Sequence, residues 1–301
     1  MAEPLPQTAR SRSLTGYASA TAASALWASL VVFSRFLLAT GADPVSIVAV
    51  RALLATAILA AVLVWRRRLV PIANLRDLGM FLVFGATVAA NYCAYLSGLK
   101  YSSTVTTVTL LYTYPAVVLF LDAVVLKEPL VSRDVAALAL VLGGSALVSG
   151  VLGPGALHAT PLGVVSGIAA SVTMAAYAIL SKIISRRYNS WVTVMYGFGF
   201  AACFLWAARG PGAIVAAAGQ WLPVHWAAVL AMAVLPTLLG YGLFAYSLGF
   251  ITAGRASMIC ASEPVLATLF AWVFWGEVVT AWQAAGGVLV LLGVSVVILR
   301  K

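Results

Sequence analysis

Ionisable side chains are rare inside the long apolar runs of this sequence, so those few carry most of the chemical information. Glu263 is the one acid near the middle of such a run, Ala253–Trp275, and Pro264 follows it. A charge at that depth costs about 2.5–3.5 kcal/mol on insertion scales, which marks the residue as functional. It can hold a substrate ammonium, carry a proton for antiport, or stand protonated against a carbonyl freed beside Pro264. At an offset of 149, Pro115 closes Thr109-Leu110-Leu111-Tyr112-Thr113-Tyr114-Pro115, again midway along an apolar run (102–126). Neither proline has an N–H, so the carbonyls of Leu111 and Cys260 lose their helical partners and the helix is bent or weakened at both places. Proline-interrupted spans at matching places in two halves of a chain point to a solute-binding site.

Aromatic and polar side chains gather on the same runs. Asn91, Tyr92 and Tyr95 stand at i, i+1 and i+4 and share a helical face. Thr109 and Tyr112 share a face of the next run, while Tyr114 lies about 200° from Tyr112 on a straight helix. Those two rings therefore need the Pro115 bend to point the same way. Met174 and Tyr177 are three apart, and Met174 aligns with Trp27 at an offset of 147. Together these residues read as the lining of a mid-membrane cavity, suited to side chains by stacking and to an ammonium by cation–π contact. The bland alternative is helix-to-helix packing with the hydroxyls on neighbouring carbonyls. Arg35 and Arg51, with Asp43 between them, are expected to set topology or pair locally, and His158 and His225 to be solvated in loops.

The chain carries no Walker lysine motif, no GxSxG, no HExxH and no paired histidines. No enzyme chemistry, metal or cofactor is therefore expected. Cys93, Cys203 and Cys260 fall inside apolar runs without metal-type spacing and read as small buried hydrophobes. The net charge of +10 lies in short clusters between apolar runs, which argues against nucleic acid as a partner.

The elements that position these residues must be membrane helices. Over 301 residues, 63% are hydrophobic and 9% charged, and the mean hydropathy is +1.05; only lipid can cover such a surface. A span needs about 20 apolar residues, and ten stretches qualify: 14–39, 44–64, 76–99, 102–126, 131–150, 161–184, 190–208, 224–249, 253–275 and 280–299. Only 150–161 and 209–223 look like longer loops. With the N-terminus inside, 14 Lys and Arg lie on the inner side and four on the outer, which places both termini in the cytoplasm. Residues 1–13 are then a cytoplasmic tail.

Offsets of 147 to 151 also pair Ser34-Arg35 with Ser181-Lys182, Ala94-Tyr95 with Ala245-Tyr246, Glu128 with Glu277 and Gly144 with Gly293. Each half holds five spans, an odd number, so the second copy must enter the membrane upside down. The expected fold is all-α and integral to the membrane, ten helices in two inverted five-helix repeats, 14–150 and 161–299. One half rocking against the other would then give alternating access.

The sequence resembles the drug/metabolite transporter superfamily, specifically the ten-helix EamA exporters. The likeness rests on Trp27, Ser34 and Arg35 in the first span, Pro44 and Arg51 in the second, and the two proline spans closing in Glu128 and Glu277. Tyr112-Thr113-Tyr114-Pro115 resembles the aromatic-x-aromatic-Pro segment of YddG-type amino-acid exporters, with Tyr114 where tryptophan can stand. The resemblance implies a transporter in a bacterial inner membrane, a monomer or homodimer. It implies export of amino acids or related small metabolites; the alternative on the same fold is a drug, purine or sugar-phosphate carrier. The expected binding residues are Trp27, Asn91, Tyr92, Tyr95, Thr109, Tyr112, Tyr114, Met174, Tyr177 and Glu263, with Pro115 and Pro264 as kinks.

Overall fold

The computed structural model describes residues 7–153 and 157–299. In chain order the helices are α1 (Gln7–Ala28), α2 (Leu30–Ala39), α3 (Pro44–Trp65), α4 (Leu75–Tyr101), α5 (Thr104–Leu111), α6 (Tyr114–Val125), α7 (Ser132–Val148) and α8 (Pro161–Ile184). They continue with α9 (Ser190–Arg209), α10 (Pro211–Gly219), α11 (Pro223–Met232), a π-helical segment (Ala233–Gly240), α12 (Tyr241–Ser247), α13 (Ala253–Cys260), α14 (Glu263–Trp275) and α15 (Ala281–Ile298). Several of these merge into longer rods, and nine helical stretches among the described residues are long and apolar enough to cross a membrane. Their limits fall within three residues of the expected spans. The remaining expected span, 131–150, corresponds to α7, which has 17 residues and lies along α15. Trp272, Val273 and Phe274 are among many large apolar side chains left facing outward, the surface that lipid covers. This is a multi-pass integral membrane protein.

Local chemistry sets the helix ends. Asp43 caps α3, its Oδ2 accepting from the Ser46 N–H at 2.9 Å, and Pro44 supplies a first helical residue whose missing N–H costs nothing there. Thr160 and Thr252 cap α8 and α13 in the same way. Two features depart from expectation. Helix α1 already begins at Gln7, within the stretch expected as a tail, and residues 1–6 lie outside the described residues. The expected loop 209–223 holds α10, where Pro211 starts a short helix-forming run rich in alanine.

Helices at corresponding places in the two halves pack on each other in opposite directions. Gly144 of α7 meets Gly286 and Val290 of α15, whereas Gly293 of α15 meets Val141 and Ala137 of α7. The partner number falls as the residue number rises, so the pair is antiparallel. Helices α3 and α9 behave alike: Gly199 lies over Thr56, and the Trp206 indole donates to the Ala49 carbonyl. Glycines permit these close crossings, because a Cβ at Gly144 would stand 2.6 Å from the Gly286 carbonyl oxygen.

Candidate functional site

The two proline spans are each broken, and the breaks are built alike. Tyr112 and Thr113 separate α5 from α6, with Pro115 in the first turn of α6. The Thr113 hydroxyl donates to the Leu110 carbonyl at 2.7 Å and meets the Ser171 hydroxyl of α8 at 2.9 Å. Ala261 and Ser262 separate α13 from α14, with Pro264 in the first turn of α14. The Ser262 hydroxyl donates to the Ile259 carbonyl at 2.7 Å and meets the Ser24 hydroxyl of α1 at 3.0 Å. With that proton committed, the single Ser24 proton is shared between Ser262 and the Cys260 carbonyl, 3.2 Å away. The Cys260 carbonyl is the one that Pro264 leaves without a helical donor. Broken backbone within a membrane persists only where the protein meets its hydrogen bonds again, and here small hydroxyl residues do so.

Unwinding at Tyr112 and Thr113 changes which way the rings face. The Tyr112 and Tyr114 centroids stand 6.5 Å apart, so the two rings are brought together despite their separation on an ideal helix. Tyr114 is buried, and its hydroxyl donates to the Ser257 carbonyl at 3.2 Å. The Tyr112 hydroxyl faces the carboxyl of Glu263, and Tyr95 of α4 and Tyr114 lie within electrostatic reach of that carboxyl. Glu263 opens α14, where the positive end of the helix dipole favours a carboxylate. It keeps partial exposure and has no ion pair among the described residues.

A second cluster forms around Tyr241 at the start of α12. Trp27 packs on Tyr241 with centroids 4.8 Å apart and on Phe244 at 5.3 Å. Tyr177 of α8 stacks on Phe84 at 5.1 Å and meets Tyr241 edge-on at 5.2 Å. The guanidinium of Arg51 lies 5.0 Å over the ring of Tyr92. Helix α4 joins the clusters, giving Tyr92 to this one and Tyr95, three residues on, to the Glu263 group. The π-helical turn around Pro236 sets the pitch of the chain into Tyr241. Thr237 donates to the Met232 carbonyl at 2.8 Å, replacing the N–H that Pro236 lacks.

The other expected residues fall nearby but are engaged differently. The Asn91 amide donates to the Ala170 carbonyl at 2.8 Å and to the Thr173 hydroxyl at 3.2 Å, tying α4 to α8. Met174 is buried in the core, and the Thr109 hydroxyl is buried without a partner. Helical spacing does not single out Tyr241, although the offset of 149 that joins the prolines also joins Tyr92 to Tyr241. The sequence leads to the expectation that Arg35 and Arg51, with Asp43 between them, set topology or pair locally. In the structure Asp43 pairs with Arg209 at 3.3 Å, Arg35 pairs with Glu277 while lying over Trp275, and Arg51 has no acid partner among the described residues. The chain between α2 and α3 turns these side chains to different neighbours, which spacing along the sequence cannot reveal.

Ionic groups also close the ends of the broken span α13–α14. At one end stands the Arg35–Glu277 pair. At the other, Lys182 donates to the Ile251 carbonyl at 2.7 Å, Asp122 accepts from the Gly254 N–H at 2.8 Å, and Arg255 pairs with Asp134 at 3.3 Å.

Comparison with known proteins gives a consistent result. The profile of the EamA-like transporter family matches residues 14–150 and 161–299. A transporter of Archaeoglobus fulgidus is 28% identical over 139 residues, covering 44% of this chain and 47% of that protein, so the alignment spans about half the relative's length. The inner membrane transporter YhbE of Escherichia coli K12 is 26% identical over 235 residues, 76% of this chain and 71% of that one. A solved crystal structure matches with a TM-score of 0.79 over 95% of both chains at 19% identity, a likeness of fold alone.

Proposed function

This chain belongs to the EamA-like transporter family and is a membrane transporter, and on that premise we propose that it exports amino acids and related small metabolites from the cytoplasm. The two five-helix halves, 14–150 and 161–299, are inverted repeats with both termini cytoplasmic, in a bacterial inner membrane. The antiparallel packing of α7 on α15 and of α3 on α9 supports this, because copies inserted in the same direction would set those helices parallel. The matched breaks, with Ser24 on Ser262 and Ser171 on Thr113, support it too.

The observation that carries the substrate reading is Glu263. It is a carboxyl without an ion pair among the described residues, at a helix break, beside Tyr112, Tyr95 and Tyr114. Such a group receives an ammonium, while the surrounding rings accept an apolar side chain. The two ends support a reading of alternating access. Arg35–Glu277 would be the outer closure, and its repeat equivalents Lys182 and Glu128 lie at the inner end, where Lys182 is bonded to the Ile251 carbonyl instead. The two ends thus differ in state, as rocking of the halves requires.

The test is counterflow in proteoliposomes loaded with a mixture of the twenty amino acids, read with labelled amino acids and competed with nucleobases, sugar phosphates and cationic drugs. Accumulation of labelled amino acids, suppressed by other amino acids, is expected. Competition by one of the other classes alone would replace this reading with a carrier for that class.

A further inference from the structure

Arg51 is 3% exposed, seven residues into α3, and about 10 Å along the helix axis from its start. Among the described residues it makes no ion pair and no hydrogen bond. The acid nearest in sequence, Asp43, is occupied by Ser46 and Arg209. The Arg51 Nε is fully buried with no partner, while the terminal nitrogens, equally without partners, are not sealed off. The Tyr92 ring answers part of the charge through its face, but a ring face supplies no directed acceptor for five N–H groups.

The neighbours of this guanidinium are short of acceptors in the same way. The Tyr92 hydroxyl is buried, and the group it meets among the described residues is the hydroxyl of Tyr241. Tyr241 lies within electrostatic reach of Arg51 and packs against Trp27, whose indole N–H is also buried without a partner. Arg and Trp side chains have no acceptor atoms, and two tyrosine hydroxyls that meet each other still have one proton left to donate. A buried cation ringed by unsatisfied donors is costly unless an anion completes it.

We propose that Arg51, with Tyr92, Tyr241 and Trp27, is the receptor for the carboxylate of the transported solute. One guanidinium matches the single charge of a carboxylate and its two in-plane oxygens. The assignment rests on the amino-acid reading above and divides the labour in the site. The carboxylate sits at the Arg51 cluster, the ammonium at Glu263, and α4 serves both through Tyr92 and Tyr95. It also makes Arg51 and Tyr241 specificity determinants that the spacing of the sequence did not suggest.

The experiment titrates the purified protein in lipid nanodiscs and follows tryptophan fluorescence. The probes are leucine, 4-methylpentanoate (carboxylate without ammonium), 3-methylbutylamine (ammonium without carboxylate) and inorganic phosphate. Arg51→Gln should weaken leucine and 4-methylpentanoate by about tenfold or more and leave 3-methylbutylamine unchanged. Tyr241→Phe, which removes a single oxygen, should weaken the same two probes severalfold and covers the case in which Arg51→Gln fails to fold. Equal binding of the carboxylates by wild type and both variants overturns the proposal, as does phosphate outcompeting them or no binding of either carboxylate. If 4-methylpentanoate binds through Arg51 but leucine does not, the carboxylate site stands and the amino-acid reading falls. If only the amine binds, the carboxylate site falls and the Glu263 reading is untouched.

Discussion

The Ser24 hydroxyl of α1 lies 3.2 Å from the carbonyl oxygen of Cys260, the group that Pro264 deprives of its helical N–H. One small side chain from the first half of the sequence thus completes the backbone of the second half at its break. The same hydroxyl meets Ser262, and Ser171 meets Thr113 at the corresponding place in the first half. Both breaks are therefore held by hydroxyls that reach across from the other half of the sequence.

Removing this support should loosen the break. Ser24→Ala leaves a buried carbonyl short of a donor and is expected to cost about 1 kcal/mol, with Ser171→Ala somewhat less because it bonds a hydroxyl instead of a freed carbonyl. Thermal unfolding of the detergent-solubilised variants measures it; an unchanged midpoint for Ser24→Ala would show that the Cys260 carbonyl is satisfied otherwise.

Glu263→Gln keeps size and hydrogen-bonding capacity but removes the charge to which we assign the substrate ammonium. Amino-acid counterflow should fall about tenfold or more, the worth of a charge-assisted bond, with protein yield and monodispersity unchanged. Tyr112→Phe, which removes the hydroxyl facing that carboxyl, should fall less. Wild-type rates in Glu263→Gln would remove this residue from the site.

Gly144→Val should force α7 from α15, since a Cβ there would lie 2.6 Å from the Gly286 carbonyl oxygen and 2.7 Å from Val290. Overpacking of that kind costs about 1–3 kcal/mol. Gly143→Val is the control, because nothing stands within 4 Å of its would-be Cβ; it should lie within about 0.5 kcal/mol of wild type. Equal stabilities would argue against a tight crossing.

Asp43, at the N-terminus of α3 and outside the span, gives a pH prediction. Partial burial pushes its carboxyl up, but bonds from Ser46 and Arg209 outweigh this and hold it below the ordinary carboxylate value of 3.8. A depressed value means the stabilisation is complete above the unfolded value and is lost as pH falls through the folded one. Its contribution should therefore disappear only below about pH 4. Asp43→Asn should lower stability at pH 7 and flatten the acid limb of the stability profile. A parallel downward shift with an unchanged acid limb would contradict it.

Much of this protein was legible before any coordinates. Long apolar runs in a chain so poor in charge can only be membrane helices, because each must meet its backbone hydrogen bonds internally and present apolar side chains to lipid. The prolines at 115 and 264 marked where two of those helices part, since a missing N–H is a local fact of the residue itself. Glu263 declared itself by the cost of placing a carboxyl at that depth. The sequence could not say what each polar group would meet. The Tyr112 and Tyr114 rings come together only because the chain unwinds between them, an angle no helical periodicity contains. Asn91 turned to α8, Arg35 to Glu277, and Arg51 to no acid among the described residues, while Ser24 reached a carbonyl 236 residues away. Partners such as these are set by which helix faces meet across the two halves. That is decided by the packing of the whole bundle, because local spacing fixes the face a side chain shares but not the neighbour it finds there.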